Sequence, residues 1–118
     1  MKEKRGILQK PILLVCDDFS MGRRRAGIFA RNGYFIHRTK SVSAARKKFE
    51  SSLYDFLVID VHSRAESEQA RSFCRYLVEQ FPKRLFSSLL SQDRAFGVVS
   101  KKSTEGSIRK VDLCLGRP

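Results

Sequence analysis

Short unbroken apolar runs alternate along this chain with stretches in which apolar residues recur every three or four positions. Ile12-Leu13-Leu14-Val15-Cys16 is apolar throughout, preceded by Pro11 and stopped by Asp17-Asp18. Such a run fits a strand buried on both faces, as in a parallel sheet. Ser20 is placed to cap a first helix that ends at Asn32-Gly33, with Gly33 as its left-handed terminator. The apolar face of that helix is thin: Met21, Ala26, Ile28 and Phe29, interrupted by Arg23-Arg24-Arg25. Tyr34-Phe35-Ile36 makes a short second strand. Ser41 caps a second helix carrying Val42, Ala45 and Phe49 at helical spacing. Phe56-Leu57-Val58-Ile59 is another buried strand, ending at Asp60. The clearest helix has Ala70, Phe73, Cys74, Leu77 and Phe81 at i, i+3, i+4, i+7 and i+11, before Pro82 stops it.

Residues 85–90 give a fourth strand, weakened by Ser87 and Ser88, and Phe96-Gly97-Val98-Val99 gives a fifth. Thr104 caps a last helix carrying Ile108, Val111 and Leu115 and closed by Gly116; a strand over Val111, Leu113 and Leu115 fits that tail almost as well. Strands alternating with helices through short loops predict an α/β fold with a parallel sheet. With no repeats, low-complexity tracts or linker, residues 10–118 read as one domain behind a basic tail, residues 1–9.

Composition agrees. The 118 residues are 42% apolar, with nine Phe, which suits one core and excludes a disordered tail. No apolar run approaches a membrane span, and the basic N-terminus has no signal cleavage site, so a cytoplasmic location without membrane insertion is expected. Cys16, Cys74 and Cys114 form no CxxC pair and read as reduced thiols, with Cys16 in the core. Lys and Arg outnumber Asp and Glu by 24 to 12. A net charge of +12 permits nucleic acid, acidic proteins or anionic lipid as partners, or serves solubility alone. Arg23-Arg24-Arg25 reads as a solvated face or as a contact for an acidic partner. No Gly-rich phosphate cradle follows a strand, so nucleotide binding is not expected.

Functional groups in open parallel sheets collect at the carboxyl ends of strands. Two strands here end in carboxylates, Asp17-Asp18 and Asp60. If those strands are neighbours, three anions converge and repel one another. A divalent cation such as Mg²⁺ relieves this, and a carboxylate beside it can accept a phosphoryl group.

These residues carry a family resemblance. Ile12-Leu13-Leu14-Val15-Cys16-Asp17-Asp18-Phe19-Ser20, then Asn32-Gly33-Tyr34, then Tyr54-Asp55-Phe56-Leu57-Val58-Ile59-Asp60, resembles the receiver domain of two-component response regulators over residues 10–91. The resemblance implies a flavodoxin-like sheet in the order 2-1-3-4-5. It places Asp60 at the phosphoacceptor, Asp18 at the direct Mg²⁺ carboxylate, Asp17 at the water-mediated one and the His62 carbonyl in the metal shell. Ser91 falls at the hydroxyl after the fourth strand, and Lys101 at the lysine ending the fifth. It implies a stand-alone signalling protein, phosphorylated by a sensor histidine kinase or a phosphotransfer protein. Such a protein would be no enzyme beyond slow autodephosphorylation.

The departures are as informative. Receivers usually carry Met-Pro soon after the phosphoacceptor and a Pro after the lysine; this chain has Val61-His62-Ser63-Arg64 and Lys102. The aromatic switch position is Val98. Only nine residues separate Ser91 from Lys101, whereas a parallel crossover needs about a dozen or more. The fourth helix is therefore expected to be deleted. The last strand must then pair antiparallel, move elsewhere or complete its sheet through a second subunit of a homodimer. The alternative function is a degenerate, non-phosphorylated receiver whose basic surface binds nucleic acid or an acidic protein.

Overall fold

The computed structural model describes residues 11–51, 53–54, 56–80, 86–90 and 95–100. The elements run β1 (Ile12–Cys16), α1 (Phe19–Arg31), β2 (Ile36–Thr39), α2 (Val42–Phe49), β3 (Phe56–Val61), α3 (Arg64–Gln80), β4 (Phe86–Leu90) and β5 (Ala95–Ser100). The N-terminal tail, the proposed last helix, Phe81, Pro82, Ser91 and Lys101 lie outside the described residues.

Strand alternation assigns the helices to faces. Leu13, Val15, Leu57, Ile59 and Val61 pack with Val42, Ala45 and Phe49 of α2 and with Ala70, Phe73, Cys74 and Leu77 of α3. Ile12, Leu14 and Val58 point the other way, onto Phe29 of α1. Because β1 and the middle of β3 are covered on both sides, their sequences are continuously apolar. The stripes expected on α2 and α3 are the buried ones. Ser41 caps α2 as expected, accepting from the Ala44 amide at 3.2 Å, and Gly33 follows α1 with φ at +89°.

Two local expectations shift. The cap of α1 is Asp18, whose carboxylate accepts from the Met21 amide at 2.9 Å, so the helix begins before Ser20. The second strand starts at Ile36 because Tyr34 belongs to the helix end. Its amide donates to the Phe29 carbonyl at 3.1 Å and its ring packs edge-on against Phe29, 5.9 Å between centroids. Phe35 is exposed.

β1 pairs in parallel with β2 and with β3, giving the order 2-1-3 for the parallel strands. Beyond β3 the order departs from 2-1-3-4-5. The sheet runs β2-β1-β3-β5-β4, with β5 antiparallel to both β3 and β4. Four residues lie between Leu90 and Ala95, too few for a crossover helix, and antiparallel neighbours need none. The expected loss of the fourth helix and the antiparallel option thus agree with the topology, while the expected strand order does not.

Burial pushes the Cys74 thiol from 9.0 up to about 12. The folded state holds this thiol neutral. Its contribution to stability is intact below about pH 9 and is lost as pH rises toward about 12. Urea-unfolding free energies are expected to fall from about pH 9 upward, and to fall less in Cys74→Ala. Iodoacetamide at about pH 8 should leave Cys74 unmodified until urea is added.

Candidate functional site

Cys16 at the end of β1 stands in register with Asp60 on β3, so the turn after β1 emerges beside Asp60. Asp60 is 0% exposed. Counting by twos from Val58, it lies on the α1 face of the sheet. On α1, Arg25 lies between Gly22 and Phe29, three residues after the one and four before the other, on the inward stripe. Its Nε forms an ion pair with Asp60 Oδ2, with the arginine side chain only 17% exposed. The His62 ring closes the other side. Its Nε2 lies 3.0 Å from Asp60 Oδ1 and 3.2 Å from Met21 Sδ.

The other two carboxylates have backbone partners. Asp17 accepts from the His62 amide (3.0 Å to Oδ1, 3.1 Å to Oδ2) and from the Ser63 amide (2.9 Å to Oδ2). Ser63 itself caps α3, accepting from the Glu66 amide at 3.2 Å. Asp17 therefore places a negative charge at the start of α3 and ties the β1–α1 turn to the β3–α3 turn. Asp18 caps α1, and its carbonyl accepts from the Gly22 amide at 2.9 Å.

The structure thus brings Asp17, Asp18, Asp60 and His62 to one end of the sheet, as expected, but gives their oxygens different partners. An Mg²⁺ ion needs carboxylate oxygens turned toward one shared point. Here both Asp17 oxygens accept amide protons, one Asp18 oxygen caps α1, and a guanidinium and an imidazole flank the two Asp60 oxygens. This arrangement does not fit the dication. Among the described residues no three His, Cys, Asp or Glu side chains are grouped to hold a metal. Cys16 is not poised as a nucleophile either. Burial is the main influence raising its pKa, and the carboxylates of Asp60, Asp17 and Asp18 add to it, against the lowering effect of a backbone hydrogen bond at Asp18.

Arg25 is the residue that sequence reasoning missed. Within Arg23-Arg24-Arg25 it alone falls on the buried stripe, in phase with Phe29; the two others are exposed. Helical phase was the signal that distinguished it from a solvated run.

Removing one partner of a buried ion pair leaves the other charge without compensation. Arg25→Met is expected to lower the urea-unfolding free energy by about 3 kcal/mol. The same change made in Asp60→Asn should cost at least about 1 kcal/mol less, a coupling read from the double-mutant cycle.

Comparison of the chain with protein-family models, with curated proteins and with solved structures returned no match.

Proposed function

We propose that this chain is a receiver-like binding module that works without phosphorylation, with Asp60 kept as a structural charge. The observation that carries the reading is the buried Asp60–Arg25 ion pair. A phosphoacceptor must present a carboxylate oxygen to an incoming phosphoryl group beside a cation that stabilises the transferring oxygens. Asp60 is fully buried, with Arg25 paired to one of its oxygens and the His62 ring beside the other, which argues against a carboxylate open to a donor and a cation. The parallel order 2-1-3 with helices on both faces is compatible with a flavodoxin-like fold, from which the receiver resemblance takes its topology. In this reading the fold is the scaffold, the acids hold its loops, and neither Mg²⁺ nor a histidine kinase is required. The function then lies in the surface, and the net charge of +12 supports a polyanionic partner.

Acetyl phosphate or beryllofluoride at millimolar concentration with Mg²⁺, followed by intact mass and amide NMR, tests the reading. The native protein is expected to show no Asp60-dependent adduct and no saturable Mg²⁺ shift at the amides of residues 17, 18 and 60. An adduct that disappears in Asp60→Ala would restore phosphoryl transfer and end this proposal.

A further inference from the structure

Between residues 19 and 49 the chain carries nine Arg or Lys and no Asp or Glu. This segment is α1, β2 and α2, which together form one border of the domain. Among the described strands β2 is the outermost, and α1 covers one face of the sheet and α2 the other. Arg25 turns inward to Asp60. Among the described residues, none of the remaining cations of this border is paired with a carboxylate. By contrast, Arg64, Arg71 and Arg75 share α3 with Glu66, Glu68 and Glu79.

Exposed aromatic rings are set among these charges. Phe19 is 61% exposed and Phe35 is 52% exposed, one near each end of β2. The Arg38 guanidinium lies over the Phe19 ring, 5.2 Å from its centroid, and its Nη2 donates to the Phe19 carbonyl at 3.2 Å. Gly22 leaves close room for this arrangement, since a Cβ there would come within 3.2 Å of both Arg38 Nη2 and the Cys16 Cβ. Next to the stacked pair, at the carboxyl ends of β1 and β2, is an open cleft of about 150 Å³. Leu14, Cys16 and Phe19 supply its apolar wall, and Arg38, Thr39 and Lys40 its polar rim. A volume near 150 Å³ with apolar walls is about what one six-membered aromatic ring occupies.

We propose that the β2 border binds single-stranded nucleic acid, seating one base in the cleft beside Phe19 and Arg38 while Lys40 and the exposed cations of α1 and α2 track the phosphates. This rests on reading the chain as a binding module and names the partner of that module. Cations alone would suit any polyanion. The ring-sized cleft and the exposed Phe19 favour unstacked bases, because stacking on an aromatic platform is available to a single strand and not to the interior of a duplex. An acidic peptide would use the cations and leave the cleft without a ring to hold. Counterion release makes such binding fall steeply with salt.

Fluorescence anisotropy on the full chain provides the test. The probes are labelled oligouridylate and oligothymidylate of about 12 nucleotides, a duplex of equal length and a polyglutamate peptide, each titrated with salt. At least one single strand is expected to bind more tightly than the duplex and the peptide, and the two strand types identify the source. Phe19→Ala should weaken single-strand binding about tenfold while leaving duplex binding nearly unchanged. Arg38→Ala with Lys40→Ala should weaken both and lower the salt slope by about 1 to 2. Arg75→Ala on α3 should change neither, and circular dichroism of each variant confirms that it is folded. Equal affinity for duplex and single strand, indifference to Phe19→Ala, preference for the peptide, or no binding at low salt would each overturn the proposal. The phospho-adduct experiment separates this outcome from the parent reading. Strand binding by a protein that also forms an Asp60 adduct leaves the border site standing and removes the phosphorylation-free reading. Absence of both does the reverse.

Discussion

A carboxylate at the inner end of a central strand persists only beside compensating charge, and in this protein Arg25 supplies it to Asp60. The pair holds α1 against β3 across the sheet, with the His62 ring on its other side. An ion pair of this kind contributes less to net stability than its Coulomb attraction suggests, since both groups leave water. What it fixes is arrangement. With Arg25 turned inward, the helical period leaves Arg23 and Arg24 outside.

The same economy runs through the neighbouring acids. Asp17 and Asp18 follow each other in sequence, yet one is bonded to amides at the start of α3 and the other begins α1. Two adjacent carboxylates thus organise two helix starts, and the loops on either side of the β1–β3 junction are joined. In doubly wound sheets that junction is the usual ligand crevice. Here its polar groups are spent on holding the loops together, and the open cleft lies one strand further out, between β1 and β2.

Much of this was legible in the sequence where one pattern had one physical meaning. The all-apolar β1, the capped and striped α2 and the long stripe of α3 follow from burial on both faces or on one. Other features were not separable by pattern. Tyr34 and Phe35 look like strand residues, but one finishes the packing of α1 and the other is exposed. The short link after β4 excluded a parallel crossover, yet nothing local said that β5 would enter between β3 and β4. The convergence of Asp17, Asp18 and Asp60 was foreseen from the ends of neighbouring strands. The pairing of Asp60 with Arg25 was not, because an arginine inside an apolar stripe reads as an interruption until its helical phase is counted.

The outermost position of β2 has a consequence for how copies of this chain meet. An edge strand offers unpaired amide and carbonyl groups to any other strand, and native proteins protect such edges with charge. Ile36-His37-Arg38-Thr39 carries an arginine at its centre, with Lys40 next to it. Two such edges brought together would set like charges face to face. Among the described residues, the charge of this fringe is thus arranged as a fender that disfavours edge-to-edge pairing on this side of the sheet.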